Sequence, residues 1–128
     1  MIRPLKQTDY TATKHLYQSV FFMTEDPYFI KAWRNRTSAT LGYWKCGALL
    51  GAAICTSHKL EYIFVDSCYR GSGIGTQLLD AVLKLCPTLY LVPVADPAVH
   101  RWYVKNGFRL SQNRNTYNIY VRHTHNLR

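Results

Sequence analysis

The chain has 128 residues, 48% hydrophobic and 18% charged, the balance of a soluble globular domain with room for one core but not two. Its longest apolar runs, Ala48–Thr56 and Tyr62–Val65, are strand-sized and far too short to span a bilayer, which excludes a membrane helix. Sixteen Lys and Arg against seven Asp and Glu give a net charge of +9, a field that draws anions such as a nucleotide cofactor, an acidic partner or nucleic acid.

Ile2–Leu5 reads as a short first strand. Met1–Lys6 has no apolar stretch of signal-peptide type, so no export is expected. Thr8 and Asp9 offer an N-cap to a helix carrying Ala12, Leu16 and Val20 at helical spacing, with Tyr17 and Phe21 beside them. Glu25-Asp26-Pro27 interrupts it, and Pro27 opens a shorter helix to about Trp33. Ala39–Lys45, Ala48–Ser57 and Leu60–Val65 follow as three antiparallel strands, turned at Cys46-Gly47 and at His58-Lys59. From Gly73 to Cys86 the period becomes helical, and Pro87 ends it. Leu89–Val94 is a continuous apolar strand. Asp96-Pro97 caps and opens a last helix through Asn106, with Gly107 as its C′ residue. Phe108–Leu110 and Tyr117–Arg122 supply two final strands around a polar loop, Ser111–Asn115. The order β-α-α-β-β-β-α-β-α-β-β implies a mixed sheet covered by helices, with a right-handed parallel crossover between Leu60–Val65 and Leu89–Val94.

The basic residues are scattered, with no run of five or six, which argues against nucleic acid as the main partner. Cys46, Cys55, Cys68 and Cys86 form no CxxC pair, so reduced thiols in a cytoplasmic protein are expected. His123-Thr124-His125 has no carboxylate or Cys near it in sequence, and no metal site is expected.

The sharpest signal is Tyr69-Arg70-Gly71-Ser72-Gly73-Ile74-Gly75-Thr76, between a strand and a helix. The alternating glycines let the backbone turn tightly and approach a ligand. The helix start then points free N–H groups and the positive end of its dipole at that ligand. A P-loop would need a Lys that the segment lacks, and Gly71, Gly73 and Gly75 have the wrong spacing for a dinucleotide fingerprint. What remains is Arg-x-x-Gly-x-Gly, filled by Arg70, Gly73 and Gly75.

This strand and loop, Leu60 to Gly75, resemble the signature of the GNAT superfamily of acetyltransferases. A second motif of that family, Tyr-x-Lys-x-Gly-Phe, matches Tyr103-Val104-Lys105-Asn106-Gly107-Phe108. The resemblance covers most of residues 40 to 110. It implies an α/β (α+β) fold in a single domain over residues 1–128, a mixed and mostly antiparallel sheet of about six or seven strands flanked by about four helices. It also implies that acetyl-CoA is the co-substrate and a primary amine of a small molecule or protein the acceptor, attacked directly in a ternary complex. On this reading Arg70, Gly71, Ser72, Gly73, Ile74, Gly75 and Thr76 hold the pyrophosphate. A bulged strand presents Ile63, Phe64 and Val65 to the pantetheine arm, and the Val65 amide acts as oxyanion donor. Asp96 stands where the family commonly has Asn near the pantetheine, and Val99 where a small Ala is usual.

Tyr103 occupies the place of the general acid, and Glu61 interrupts an apolar strand where a base could stand. The plain alternatives are a packing tyrosine and an outward strand Glu. His58 and His100 read as surface residues, and Cys68 as a passive thiol. Tyr17, Phe21, Phe22, Tyr28, Phe29, Trp33 and Tyr117 could line the acceptor site or simply form core, and Glu25 with Asp26 could attract a cationic amine. A catalytically silent acyl-CoA-binding module is the alternative function, and a homodimer is left open.

Overall fold

The computed structural model of the chain describes residues 1–24, 26–94, 96–113 and 118–123. The elements follow the expected order: strands β1 (Ile2–Pro4), β2 (Leu41–Lys45), β3 (Ala48–Thr56), β4 (Lys59–Val65), β5 (Thr88–Leu91), β6 (Arg109–Asn113) and β7 (Asn118–His123), and helices α1 (Tyr10–Phe21), α2 (Pro27–Arg34), α3 (Ile74–Leu85) and α4 (Pro97–Lys105). One seven-stranded sheet runs β1-β2-β3-β4-β5-β7-β6. All its pairs are antiparallel except β4 with β5, which the α3 crossover joins.

Local chemistry explains the helix ends. Asp26 accepts from the Phe29 amide at 2.8 Å, and Pro27 sits in the first turn of α2. Asp96 caps α4 in the same way, accepting from Ala98 N at 2.9 Å. Asp9 departs from its expected role. Its carboxylate pairs with Arg3 at 2.8 Å and accepts from the Lys6 amide, so α1 has no side-chain cap and is entered through a tight 3-10 turn, Gln7–Asp9. The guanidinium of a neighbouring strand is a stronger partner than a helix amide.

The sheet divides the core in two. Along β3, Ala52 and Ile54 join Leu16, Tyr17, Phe29, Trp33 and Phe64 under α1 and α2. Ala53 and Cys55 join Leu78, Leu79, Val82, Leu89 and Phe108 on the α3 and α4 side. Strand alternation sends neighbouring residues to opposite faces. Gly51 lets α3 lie directly on β3: a Cβ there would stand 2.9 Å from Ile74 Cγ2 and 3.0 Å from Leu78 Cδ1.

Two strand boundaries differ from expectation. The strand read over Leu89–Val94 ends at Leu91, because its pairing with β7 ends at Leu91–Tyr120 and its ladder with β4 holds one register pair, Lys59 with Tyr90. Val92 and Val94 are exposed. Conversely, β6 runs on through Ser111, Gln112 and Asn113, read as loop, because each of its ends finds a partner on β7. The remainder of that loop, Arg114 to Tyr117, lies outside the described residues, as do Glu25, Thr124 and His125.

Candidate active site

The site grows out of β4. The register with β3 slips between Ile54–Tyr62 and Cys55–Leu60, leaving Glu61 as the extra, bulged residue. Downstream, Asp66 N donates to Leu50 O at 2.8 Å across the Gly51–Val65 pair. That bond marks Gly51–Val65 as a non-hydrogen-bonded pair, and Ala53–Ile63 is one by alternation. The N–H and C=O of Ile63 and Val65 therefore point away from β3, toward the side where the β5 ladder has stopped after Tyr90. Two adjacent strands part here and leave a line of backbone donors and acceptors facing the gap.

Beyond Val65 the chain makes a short turn, Ser67–Tyr69, held by Asp66 accepting from the Cys68 amide at 2.9 Å. Ser72 Oγ donates to Tyr69 O and closes the next turn. Gly71 and Gly73 have φ of 81° and 88°, where side chains are disfavoured. Gly73 is the N-cap of α3 and supplies no side-chain cap, so the first amides of α3 are left for an outside acceptor. Gly75 faces Trp102 and Val65: a Cβ there would stand in ordinary contact, 3.4 Å from the Trp102 ring and 3.8 Å from Val65.

These pieces enclose a cavity of about 340 Å³. One wall is Val65 with the loop, including Arg70, Gly71, Gly73, Ile74, Gly75 and Thr76; the other is Trp102 and Lys105 of α4. The donor set fits an elongated phosphate-bearing ligand: helix-start amides, a guanidinium and an ammonium at one end, unpaired strand amides at the other. Ser72 shapes the turn instead of lining the cavity. Trp102 and Lys105 were not singled out in the sequence as site residues. Their signal was an i, i+3 spacing on one helix face beside Tyr103, with Lys105 inside the Tyr-x-Lys motif.

The other expected residues fall in distinct places. Phe64 sends its side chain to the opposite face, into the α1–α2 core, where its ring meets Tyr17 at 5.9 Å. Tyr103 lies in the α3–α4 core, edge-on to Trp102 at 5.0 Å and Phe108 at 5.5 Å. Burial pushes its phenol up to about 12. Its hydroxyl makes no hydrogen bond among the described residues. Tyr103 is not among the residues that line the cavity. Both oxygens of Glu61 are engaged: Oε2 accepts from the Thr56 hydroxyl at 2.6 Å and Oε1 pairs with Lys59 at 3.2 Å. Asp96 is exposed and occupied as a helix cap.

His100, read as a surface residue, is half-buried and bonded through both nitrogens, Nε2 with Val94 O at 2.9 Å and Nδ1 with Tyr120 Oη at 3.2 Å. A carbonyl can only accept, so Nε2 carries a proton. His58 is exposed, with Nδ1 3.5 Å from Cys86 Sγ. All four cysteines are free. On the acceptor side, Tyr17, Phe29 and Trp33 are buried core, whereas Phe21, Phe22 and Tyr28 are exposed, with Met23 between them. Tyr17 Oη donates to Asp26 Oδ2 at 3.3 Å.

A family profile described as "Acetyltransferase (GNAT) domain" matches residues 28–110, more than half of the chain. The chain belongs to the GNAT acetyltransferase family, and is an acyltransferase by that membership. Solved structures agree on the fold. PH1933 from Pyrococcus horikoshii is 16% identical with a TM-score of 0.81, over 96% of this chain and 97% of its own. Arabidopsis thaliana Naa50, in complex with the bisubstrate analogue CoA-Ac-MVNAL, is 20% identical with a TM-score of 0.75, over 94% and 95%. The PaiA N-acetyltransferase of Thermoplasma acidophilum, in complex with coenzyme A, is 16% identical with a TM-score of 0.66, over 96% and 98%. No curated protein sequence matches the chain. Among the described residues no helix is long and apolar enough to cross a membrane, and no group of three or more His, Cys, Asp or Glu could hold a metal ion.

Proposed function

We propose that the chain transfers an acetyl group from acetyl-CoA to a primary amine of a small molecule or protein, by direct attack in a ternary complex. The observation that carries this reading is the junction of β4 and α3: a glycine-turned helix start beside a strand whose Ile63 and Val65 backbone groups face a gap in the sheet. Arg70, Lys105 and the α3 amides take the pyrophosphate. Ile63 and Val65 hold the pantetheine arm. Phe64 contributes backbone pairing to β3 and no side chain.

The amine nitrogen attacks the thioester carbon, and the Val65 amide donates to the oxyanion as it forms. The C–S bond then breaks, and Tyr103 donates its phenolic proton to the departing sulfur. With its pKa at about 12 the phenol is fully protonated at neutral pH, and it is a weaker acid than a free tyrosine, so transfer accompanies C–S cleavage. The amine proton leaves through water toward Glu61. Exposed Phe22, Met23 and Tyr28 suit an acceptor with apolar groups beside its amine. Four free thiols suit a reducing, cytoplasmic setting. One observation favours the catalytically silent acyl-CoA-binding module as second reading: both oxygens of Glu61 already have partners.

Calorimetric titration with acetyl-CoA, with ATP and NAD as controls, tests the co-substrate. Selective binding is expected, with Arg70→Glu weakening it at least about tenfold while the circular dichroism spectrum persists. Equal binding by wild type and Arg70→Glu would overturn the assignment of the loop. Binding without turnover on a broad amine panel would establish the silent module.

A further inference from the structure

A second, larger cavity of about 750 Å³ adjoins the first and shares Thr76 and Lys105 with it. It lies between α3, the C-terminal end of α4 and the β6–β7 edge of the sheet, and Arg109 and Arg122 line it. The described residues hold two ion pairs, Arg3–Asp9 and Lys59–Glu61, so neither arginine has a carboxylate partner there. Asp80 is the one carboxylate in the lining and pairs with neither. The approach of Arg122 depends on Gly107: a Cβ at that glycine, with φ of +92°, would stand 2.8 Å from Arg122 Nε. Two unpaired guanidiniums and an ammonium converging on a cavity make a site for a phosphate monoester.

We infer that Lys105, Arg109 and Arg122 bind the 3′-phosphate of the co-substrate, so that this enzyme distinguishes coenzyme A from its 3′-dephospho form. The inference rests on the acetyl-CoA reading of the adjoining loop. Lys105 stands between the two cavities, so a ligand whose diphosphate occupies the first has a path for its phosphorylated ribose into the second. The two arginines come from β6 and β7, outside the strand–loop–helix unit that binds the diphosphate. They are specificity-determining residues and take no part in acyl transfer.

The test is calorimetric titration of the wild-type chain with acetyl-CoA and with 3′-dephospho-acetyl-CoA at one fixed ionic strength. Wild type is expected to bind acetyl-CoA at least about tenfold more tightly, the worth of a charge-assisted phosphate contact. In the Arg109→Gln/Arg122→Gln double variant the ratio of the two affinities falls toward one. Equal affinity of wild type for both forms overturns the inference and leaves the loop assignment standing. Binding of neither form overturns the acetyl-CoA reading itself. A preference that survives in a folded double variant also overturns the inference, by placing recognition elsewhere. Adenosine 3′,5′-bisphosphate and inorganic phosphate serve as competitors. Competition by inorganic phosphate as strong as by the bisphosphate would mark a general phosphate site and overturn the assignment to the co-substrate. The wild-type comparison needs no substitution, so the result does not depend on whether a variant folds.

Discussion

Tyr103 has its ring sealed in the core and, among the described residues, its hydroxyl unpartnered. A phenol in that state keeps its proton at any physiological pH, and burial makes it a weaker acid than a free tyrosine, so it can give that proton up only as charge develops on the leaving sulfur. Replacing Tyr103 with Phe is expected to lower kcat by about 10²-fold or more, the usual worth of a general acid, with little change in acetyl-CoA affinity. Steady-state kinetics on a responsive amine, with calorimetry alongside, checks this; an unchanged kcat would reduce Tyr103 to packing. Single residues were legible where backbone geometry or a motif fixed them: Gly71 and Gly73 do adopt positive φ, and Asp96 does cap α4. Where a side chain had to choose among partners, the sequence was silent. Asp9 chose Arg3 over its helix, and Glu61 chose Thr56 and Lys59. Trp102 met Gly75 through a contact between residues distant in sequence, which no local pattern encodes.

At the scale of elements, order and type were readable because periodicity and caps are local signals. The ends of β5 and β6 were not, because a strand ends where its partners end, and Leu91 and Asn113 stop or continue with β7. The β4–β5 separation that opens the site was for the same reason invisible in an apolar run. The seating of α3 on β3 controls where its N-terminal amides point. Gly51→Ala would press a methyl against Ile74 and Leu78, and overpacking of this kind costs about 1–3 kcal/mol. Chemical denaturation is expected to show that loss, and acetyl-CoA binding should weaken in the folded variant, since Ile74 begins the helix proposed to bind it. Unaltered stability would mean that α3 shifts freely over the sheet.

At the scale of the whole molecule, burial of several weak acids sets the response to alkali. Desolvation raises the Cys55 thiol from 9.0 to about 12 and the Tyr103 phenol from 10.0 to about 12, and Tyr17 and Tyr62 shift upward with them. Each group keeps its proton longer in the folded chain than in the unfolded one. Their contribution to stability is therefore fully present below about pH 9 and is lost as pH rises toward about 12. Melting temperatures should fall steadily across that window, and less so for Tyr103→Phe. A level melting curve up to about pH 11 would contradict the burial of these acids.

The placement of the three tryptophans has a spectroscopic consequence. Trp33 is buried against α1, with its indole nitrogen on Gln7 and Arg36 over its ring, and Trp44 is covered by Arg3. Trp102 alone lines the cavity at the start of α3. Two of the fluorophores are thus insulated from the ligand and the third stands in the wall that would touch it, so the intrinsic emission of the unlabelled chain carries a built-in optical reporter of occupancy at the loop.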